Sequence, residues 1–388
     1  MHVTRISLHN WRNFRDTSAD LEKRVFLIGP NASGKSNFLD AFRFLRDVSR
    51  IGLAQAVERR GGVSPMRCLA ARESSSIALE ITLGEGASEP SWSYRLEFNQ
   101  DPHRKPTIRS ETVKRHTDHK TVVDRPESAD RDDPLLLTQT ALEQIVANRE
   151  FRPVSEFLDT ISYQHLVPQV VRDPKGFSGT PVSNDPFGRD LLLRVYSTDQ
   201  KVRDARLKRI AKVLSQAVPQ LQSLDVEMDT RGSPHLIGRY EHWRPHAAKQ
   251  NESQFSDGTL RLFGLMWAML EGAGPILVEE PELSLHPEVV RSLPQLLVQL
   301  QEEARRMKRR KEYTDRQVII STHSPDMLSD RGISPSEVLR IEPSQEGSVI
   351  VHTNDADAAA MQAGLSAADV LLPRSNPLTA PFTLDTVT

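Results

Sequence analysis

Gly29-Pro30-Asn31-Ala32-Ser33-Gly34-Lys35-Ser36 is the stretch on which the fold turns. It satisfies G-x-x-x-x-G-K-[ST] in full and lies between a predicted strand and a predicted helix, the setting that this motif requires. Upstream, residues 25–28 are a short apolar run suited to a strand covered on both faces. Downstream, residues 35–48 place Phe38, Leu39, Phe42 and Leu45 on one helical stripe. Glycines in such a loop let successive N–H groups converge on one concavity, and the helix start adds partial positive charge there. The loop is thus a phosphate cradle. Lys35 is placed to reach the β- and γ-phosphates of a nucleotide, and the Ser36 hydroxyl to ligate Mg²⁺.

Two further apolar strands end in reactive side chains. Pro275-Ile276-Leu277-Val278 runs into Glu279-Glu280-Pro281-Glu282. Ligands of open α/β sheets sit at the carboxyl ends of strands, so Glu279 is a candidate metal ligand and Glu280 a candidate base for an attacking water. The plain alternative is a solvated strand end with an acidic turn. Gln317-Val318-Ile319-Ile320 leads to Ser321-Thr322-His323-Ser324-Pro325. His323 could meet a γ-phosphate, or be structural, while Ser324-Pro325 also reads as a helix cap. Ser256-Asp257-Gly258 precedes an all-round apolar helix. It is a turn and cap, and Ser256 with the N–H groups near Gly258 would also receive an anion.

Outward from these motifs the chain is mixed α/β. A strand is expected over 3–8, and an antiparallel meander over 76–83 and 91–98 with a charged tip at 101–133. Helices are expected at 134–160 and 189–222, a loop at 173–190 and a hairpin at 223–245. The α/β pattern then returns with strands at 275–279 and 317–321, a helix from 287 to about 311, and weaker strands at 337–341 and 348–352. Residues 372–388 read as a loose tail. The expected layout is an N-terminal half at 1–70, an inserted β and helical lobe at 71–245, a C-terminal half at 246–352, and a helix with tail at 353–388.

Composition narrows the function classes. Fifty Lys+Arg against 52 Asp+Glu leave a net charge of −2, so any nucleic-acid site must be a local patch. One cysteine, Cys68, excludes an internal disulfide and a cysteine-based zinc site, and fits a reducing cytoplasm. The first residues carry charges too often for a signal peptide. The most apolar stretch, 262–278, contains Glu271 and reads as a buried helix and strand, not a membrane span.

The order of motifs resembles the ABC-type ATPases of the RecF/SMC branch, closest to predicted AAA-family ATPases related to RecF and to the ATPase half of OLD-family nucleases. The carrying residues are N-W-R-N-F at 10–14, G-P-N-A-S-G-K-S-N at 29–37, F-S-D-G-T-L-R-L at 255–262, E-E-P-E-L-S-L-H-P at 279–287 and S-T-H-S-P at 321–325. They cover both halves of the α/β region and say little about residues 50–250. The resemblance implies an α/β P-loop NTPase, an ABC-ATPase-like head split by the insertion, which hydrolyses ATP with Mg²⁺. It implies that Gly29, Asn31, Gly34, Lys35, Ser36 and Asn37 hold the nucleotide and that Arg12 approaches its phosphates. Ser256 and Gly258 would form the signature that closes on ATP held by a second copy, giving a homodimer. Ser36 and Glu279 would hold the metal, with Lys35, Glu280 and His323 catalytic. Three departures stand out: Glu279 where many relatives have Asp, Asp257 in place of a signature glycine, and a Q-loop glutamine that is either Gln164, Gln169 or neither.

Two uses of such an ATPase are open from sequence. One is DNA maintenance, repair or antiphage defence, with DNA bound locally or with a separately encoded nuclease or toxin partner. The other is a regulatory module that controls such a partner with little turnover. The basic run at 305–311 is either a phosphate-contacting patch or a solvated helix end. A transporter subunit is the remaining alternative.

Overall fold

The computed structural model describes the chain except for residues 72–74, 86–88, 174–184, 242–247, 308–315 and 376–388, and the side chains of 303–307 and 373–375. The basic run at 305–311 and the end of the tail therefore lie outside the described residues.

The chain opens with a hairpin, β1 (His2–Trp11) and β2 (Phe14–Asp20), then β3 (Arg24–Ile28) and the long helix α1 (Lys35–Glu58). A meander follows: β4 (Ile77–Gly84), β5 (Pro90–Gln100), β6 (Pro106–Arg115) and β7 (Lys120–Arg125). Helices α2 (Ser128–Asp132) and α3 (Arg152–Asp159) lead to β8 (Ser162–Gln164) and α4 (Pro168–Arg172). Next come α5 (Leu191–Ser197), α6 (Gln200–Ala217), β9 (Leu221–Met228), β10 (Pro234–Tyr240) and β11 (Ala248–Asn251). The last part runs α7 (Asp257–Glu271), β12 (Ile276–Glu279), α8 (Pro287–Met307), β13 (Val318–Ser321), α9 (Pro325–Leu328), β14 (Val338–Glu342), β15 (Val349–His352), α10 (Asp355–Gln362) and α11 (Ala367–Ser375).

These strands form an antiparallel sheet in the order β2-β1-β4-β5-β6-β7, a largely parallel sheet in the order β15-β14-β3-β13-β12-β8, and a small sheet β11-β10-β9. Alternation along β3 explains the layers. Val25 and Leu27 face one core, which contains α1 and the antiparallel sheet; Phe26 and Ile28 face the other, which contains α6, α7 and α8. Both faces of the parallel sheet are covered, which is why β3, β12 and β13 are apolar without a polar face. At the centre, β13 lies between β3 and β12, so the phosphate loop, His323 and the Glu279–Glu280 pair emerge side by side at one sheet end.

Several expectations need correction. Residues 71–245 do not stand apart in space: β4 pairs with β1, and β8 pairs with β12. The segment is an insertion in sequence that supplies four of the six strands of the antiparallel sheet, β4–β7, and the edge strand β8 of the parallel one. The charged tip at 101–133 contains β6 and β7. Its charges are partly internal, because Arg125 reaches Glu111 at 3.2 Å and Asp130 at 2.7 Å, all buried. Of residues 134–160 only α3 is α-helical, and 134–138 and 147–151 are 3₁₀ turns. Strand β2 was not expected, because Arg-Asp-Thr-Ser carries no apolar alternation and only Phe14 and Ala19 turn inward at this sheet edge. Helix α1 extends ten residues beyond 48, through a break at Gly52, where φ is 83°.

Candidate nucleotide site

Strand β3 delivers the chain into the loop at Gly29. A Cβ there would lie 2.5 Å from the Ile341 carbonyl oxygen on β14, so the neighbouring strand leaves room for glycine only. At Gly34, φ is 110° and a Cβ would sit 2.1 Å from the Asn13 side-chain nitrogen. Asn13, from the turn between β1 and β2, pins the loop: its Nδ2 donates to the Ser33 carbonyl at 2.7 Å, and its Oδ1 accepts from Asn37 at 2.8 Å. Ser348 Oγ donates to the same Ser33 carbonyl at 2.6 Å. The loop conformation is thus held from outside by β1–β2 and by the turn before β15. Asn31 stands exposed at its crown.

Lys35 is 7% exposed, and its ammonium donates to the carbonyls of Gly29 at 2.8 Å and Pro30 at 3.1 Å. Burial lowers its pKa, while Glu280, Glu279 and Glu282 pull it back up. Lys35 thus faces three carboxylates across the site.

Ser36 Oγ donates directly to Glu279 Oε1, joining α1 to the end of β12. The other oxygen of Glu279 accepts from the Tyr163 hydroxyl on β8. Tyr163 has its pKa raised by burial first, then by the bond to Glu279 and that group's charge. A serine hydroxyl beside a carboxylate is an oxygen donor set of the kind that hard Mg²⁺ takes, so these residues fit that ion.

Glu280 has φ of 45°, a conformation rare outside glycine and often kept where function demands it. Its Oε1 lies 3.3 Å from His323 Nδ1. Behind them Glu282 Oε1 accepts from Thr322 Oγ1 at 2.6 Å. Burial raises the pKa of Glu282, with the Thr322 bond opposing. This backbone and side-chain frame fixes the turn that presents Glu280.

Ser256 caps α7, its Oγ accepting from Thr259 N at 3.1 Å, and it is exposed. Asp257 is held by Arg172 at 2.6 Å and by Gln169 at 3.2 Å. A Cβ on Gly258 would lie 2.5 Å from the Ser284 carbonyl oxygen, so the signature-like turn packs on the segment that follows the acids. Gly258→Ala is expected to destabilise the fold by about 1–3 kcal/mol through overpacking. Urea midpoints read this, and unchanged stability would mean that residues 284–285 yield freely.

The structure thus brings Gly29, Gly34, Lys35, Ser36, Glu279, Glu280 and His323 to one sheet end. Asn37 faces Asn13 as a positioning residue. Arg12 turns away: it pairs with Asp40 at 3.1 Å and donates to Pro65 O at 3.3 Å, one helical turn along α1 from Ser36. Ser256 and Gly258 stay with their own helix start and segment 284–285. Gln169 is occupied by Asp257, whereas Gln164 ends β8 beside Val278 and shares a small cleft with Glu279. Sequence reasoning gave no role to Tyr163, Asn13, Ser348 or Glu282. Asn13 and Glu282 lie within motifs already quoted, but nothing local marks Tyr163 or Ser348.

Residues 24–329 match a family model described as "AAA domain, putative AbiEii toxin, Type IV TA system". The chain belongs to this AAA-domain family. Among solved structures, the AAA chain is similar to an SMC head bound to the C-terminal winged-helix domain of ScpA. Identity is 13%, with 93% of this chain and 100% of that one covered and a TM-score of 0.55. A Pyrococcus furiosus Smc head with an extended coiled coil, bound to the C-terminal domain of ScpA, is similar at 11% identity. There the coverage is 93% and 98%, and the TM-score 0.50. At such identities the likeness is one of fold: this AAA protein shares the architecture of SMC heads. No curated protein matches the sequence. No helix among the described residues is long and apolar enough to cross a membrane.

Proposed function

We propose that this AAA protein hydrolyses ATP in pockets shared between two copies of the chain and uses the closed dimer to control a partner. One observation carries the reading: Ser36 meets Glu279 while Glu280 meets His323, all at the mouth of the loop that holds Lys35. On this reading Gly29, Asn31, Gly34 and Asn37 shape the cradle. Lys35 leaves its two carbonyls for the β- and γ-phosphates, and Ser36 and Glu279 hold Mg²⁺. The ion, when bound, neutralises charge on the β- and γ-oxygens. Glu280 takes the proton of the attacking water, and His323 orients Glu280 through its Nδ1 contact. Ser256, exposed at the start of α7, receives the γ-phosphate held by the partner copy, aided by the positive end of that helix near Gly258. Arg12 joins the phosphates only if it releases Asp40.

Closure makes nucleotide binding energy into dimerisation energy, and hydrolysis opens the heads. The family description names a toxin of a toxin–antitoxin system. That favours antiphage defence over DNA maintenance; action in the cytoplasm and on a separately encoded nuclease or toxin-like partner are parts of the same proposal.

The shared pocket is tested by mixing two inactive proteins, Lys35→Ala and Ser256→Arg. Each homodimer lacks both pockets, but a mixed dimer keeps one whole. Random pairing should restore about a quarter of wild-type turnover. If the mixture stays as inactive as its parts, the pocket is not shared.

A further inference from the structure

Glu279 stands at a position where an aspartate would end the strand one methylene shorter. The additional rotatable bond lets the carboxylate swing and present one oxygen or two. The structure restrains it by one contact that no motif contains. Tyr163, on the edge strand β8, lies opposite Leu277 in register and is 7% exposed. Its hydroxyl donates to Glu279 Oε2, leaving Oε1 to Ser36.

The tyrosine is held in turn. The Arg43 guanidinium lies over its ring, 4.2 Å from the centroid. Arg43 is on α1, seven residues after Ser36, and a spacing of two turns puts both on one helix face. The contacts therefore close a ring: Ser36, Glu279, Tyr163, Arg43 and back along α1 to Ser36. The edge strand, the acid-bearing strand and the loop helix are tied through one carboxylate.

We infer that Tyr163 is a positioning residue for the metal-binding carboxylate, holding Glu279 so that a single oxygen faces the ion. The inference rests on the proposed reading that Glu279 and Ser36 hold the divalent cation. A hydroxyl that donates to a carboxylate gives a stronger bond than a neutral pair and fixes its orientation as well. An aspartate at 279 would retract from the hydroxyl and need no such restraint.

The test is a four-protein cycle of wild type, Tyr163→Phe, Glu279→Asp and the double variant. Phe keeps the ring beneath Arg43 and removes only the hydroxyl. Mn²⁺ affinity is read by electron paramagnetic resonance with a non-hydrolysable ATP analogue, and analogue affinity is read separately in EDTA. Tyr163→Phe should weaken Mn²⁺ binding about 10-fold and leave metal-free nucleotide binding within about 2-fold. In the Glu279→Asp background the same change should alter Mn²⁺ binding less than about 2-fold, a clear departure from additivity. Equal Mn²⁺ affinity for wild type and Tyr163→Phe, or additive losses across the cycle, overturns the inference. Parallel loss of nucleotide binding in EDTA also overturns it, since that assigns Tyr163 a merely structural part. If instead wild type retains no analogue in EDTA or with Mn²⁺, the nucleotide reading itself fails.

Discussion

Glu280→Gln is expected to lower ATP hydrolysis by about 10²–10³-fold while nucleotide affinity changes little, the signature of a lost general base. Glutamine matches glutamate in size, and its amide oxygen can still accept from His323, so the turn at 279–282 should survive. The backbone argument points the same way. Position 280 already takes φ of 45° as a side-chain-bearing residue, with its N–H bonded to the Ser321 carbonyl at 3.0 Å. Glutamine adds no new constraint there. What is lost is the ability to take a proton. With hydrolysis blocked, ATP should accumulate in the closed state. Light scattering with ATP and Mg²⁺ should then report a dimer mass for Glu280→Gln and a mainly monomeric mass without nucleotide. Single-turnover rates of the variant within about 3-fold of wild type would remove Glu280 from the chemistry. A dimer that persists unchanged without ATP would separate dimerisation from nucleotide binding.

Lys35→Ala should weaken ATP binding by about 10²-fold, measured by equilibrium dialysis with labelled nucleotide. A charge about 4 Å from a phosphate in a site of intermediate polarity interacts by about 4 kcal/mol before desolvation is counted. Lys35 is already largely desolvated by the fold, which is what lowers its pKa. Most of that cost is therefore met before ATP arrives, and a net loss of about 2–3 kcal/mol is reasonable. The same burial means that the nucleotide-free fold should tolerate the change. Alanine removes two hydrogen bonds to loop carbonyls, at Gly29 and Pro30, but also a cation held out of water. An unaltered melting curve beside a large loss of ATP affinity is the expected pattern. Undiminished affinity would mean that the loop does not grip phosphate through this lysine.

The convergence of the proposed site's main residues was largely legible before any fold was known, because each of its main parts is contiguous. Gly29 to Ser36, Glu279-Glu280 and Thr322-His323 each combine an apolar strand with reactive residues directly after it, and ladder geometry then does the rest. The helper residues were not legible for the opposite reason. Tyr163 follows a short stretch of unremarkable sequence, and its strand has three residues, too few for alternation to register. Ser348 acts through hydrogen bonds to Ser33 and Asn13, both more than three hundred residues earlier. Arg12 shows the converse: a motif position suggests the phosphates, yet Asp40 competes for the same guanidinium, and the nearer carboxylate holds it in this structure.

Local sequence determined the phosphate loop, the apolar strands at its side and the acids and histidine at their ends, because backbone geometry and side-chain type act there over a few residues. Tertiary structure alone decided that β8 lies beside β12, that β4–β7 extend the sheet begun by β1 and β2, and that Tyr163 and Ser36 divide the two oxygens of Glu279. Those outcomes depend on which distant surfaces bury each other and which polar groups then find partners. Burial is a property of the whole core, and no window of neighbouring residues contains it.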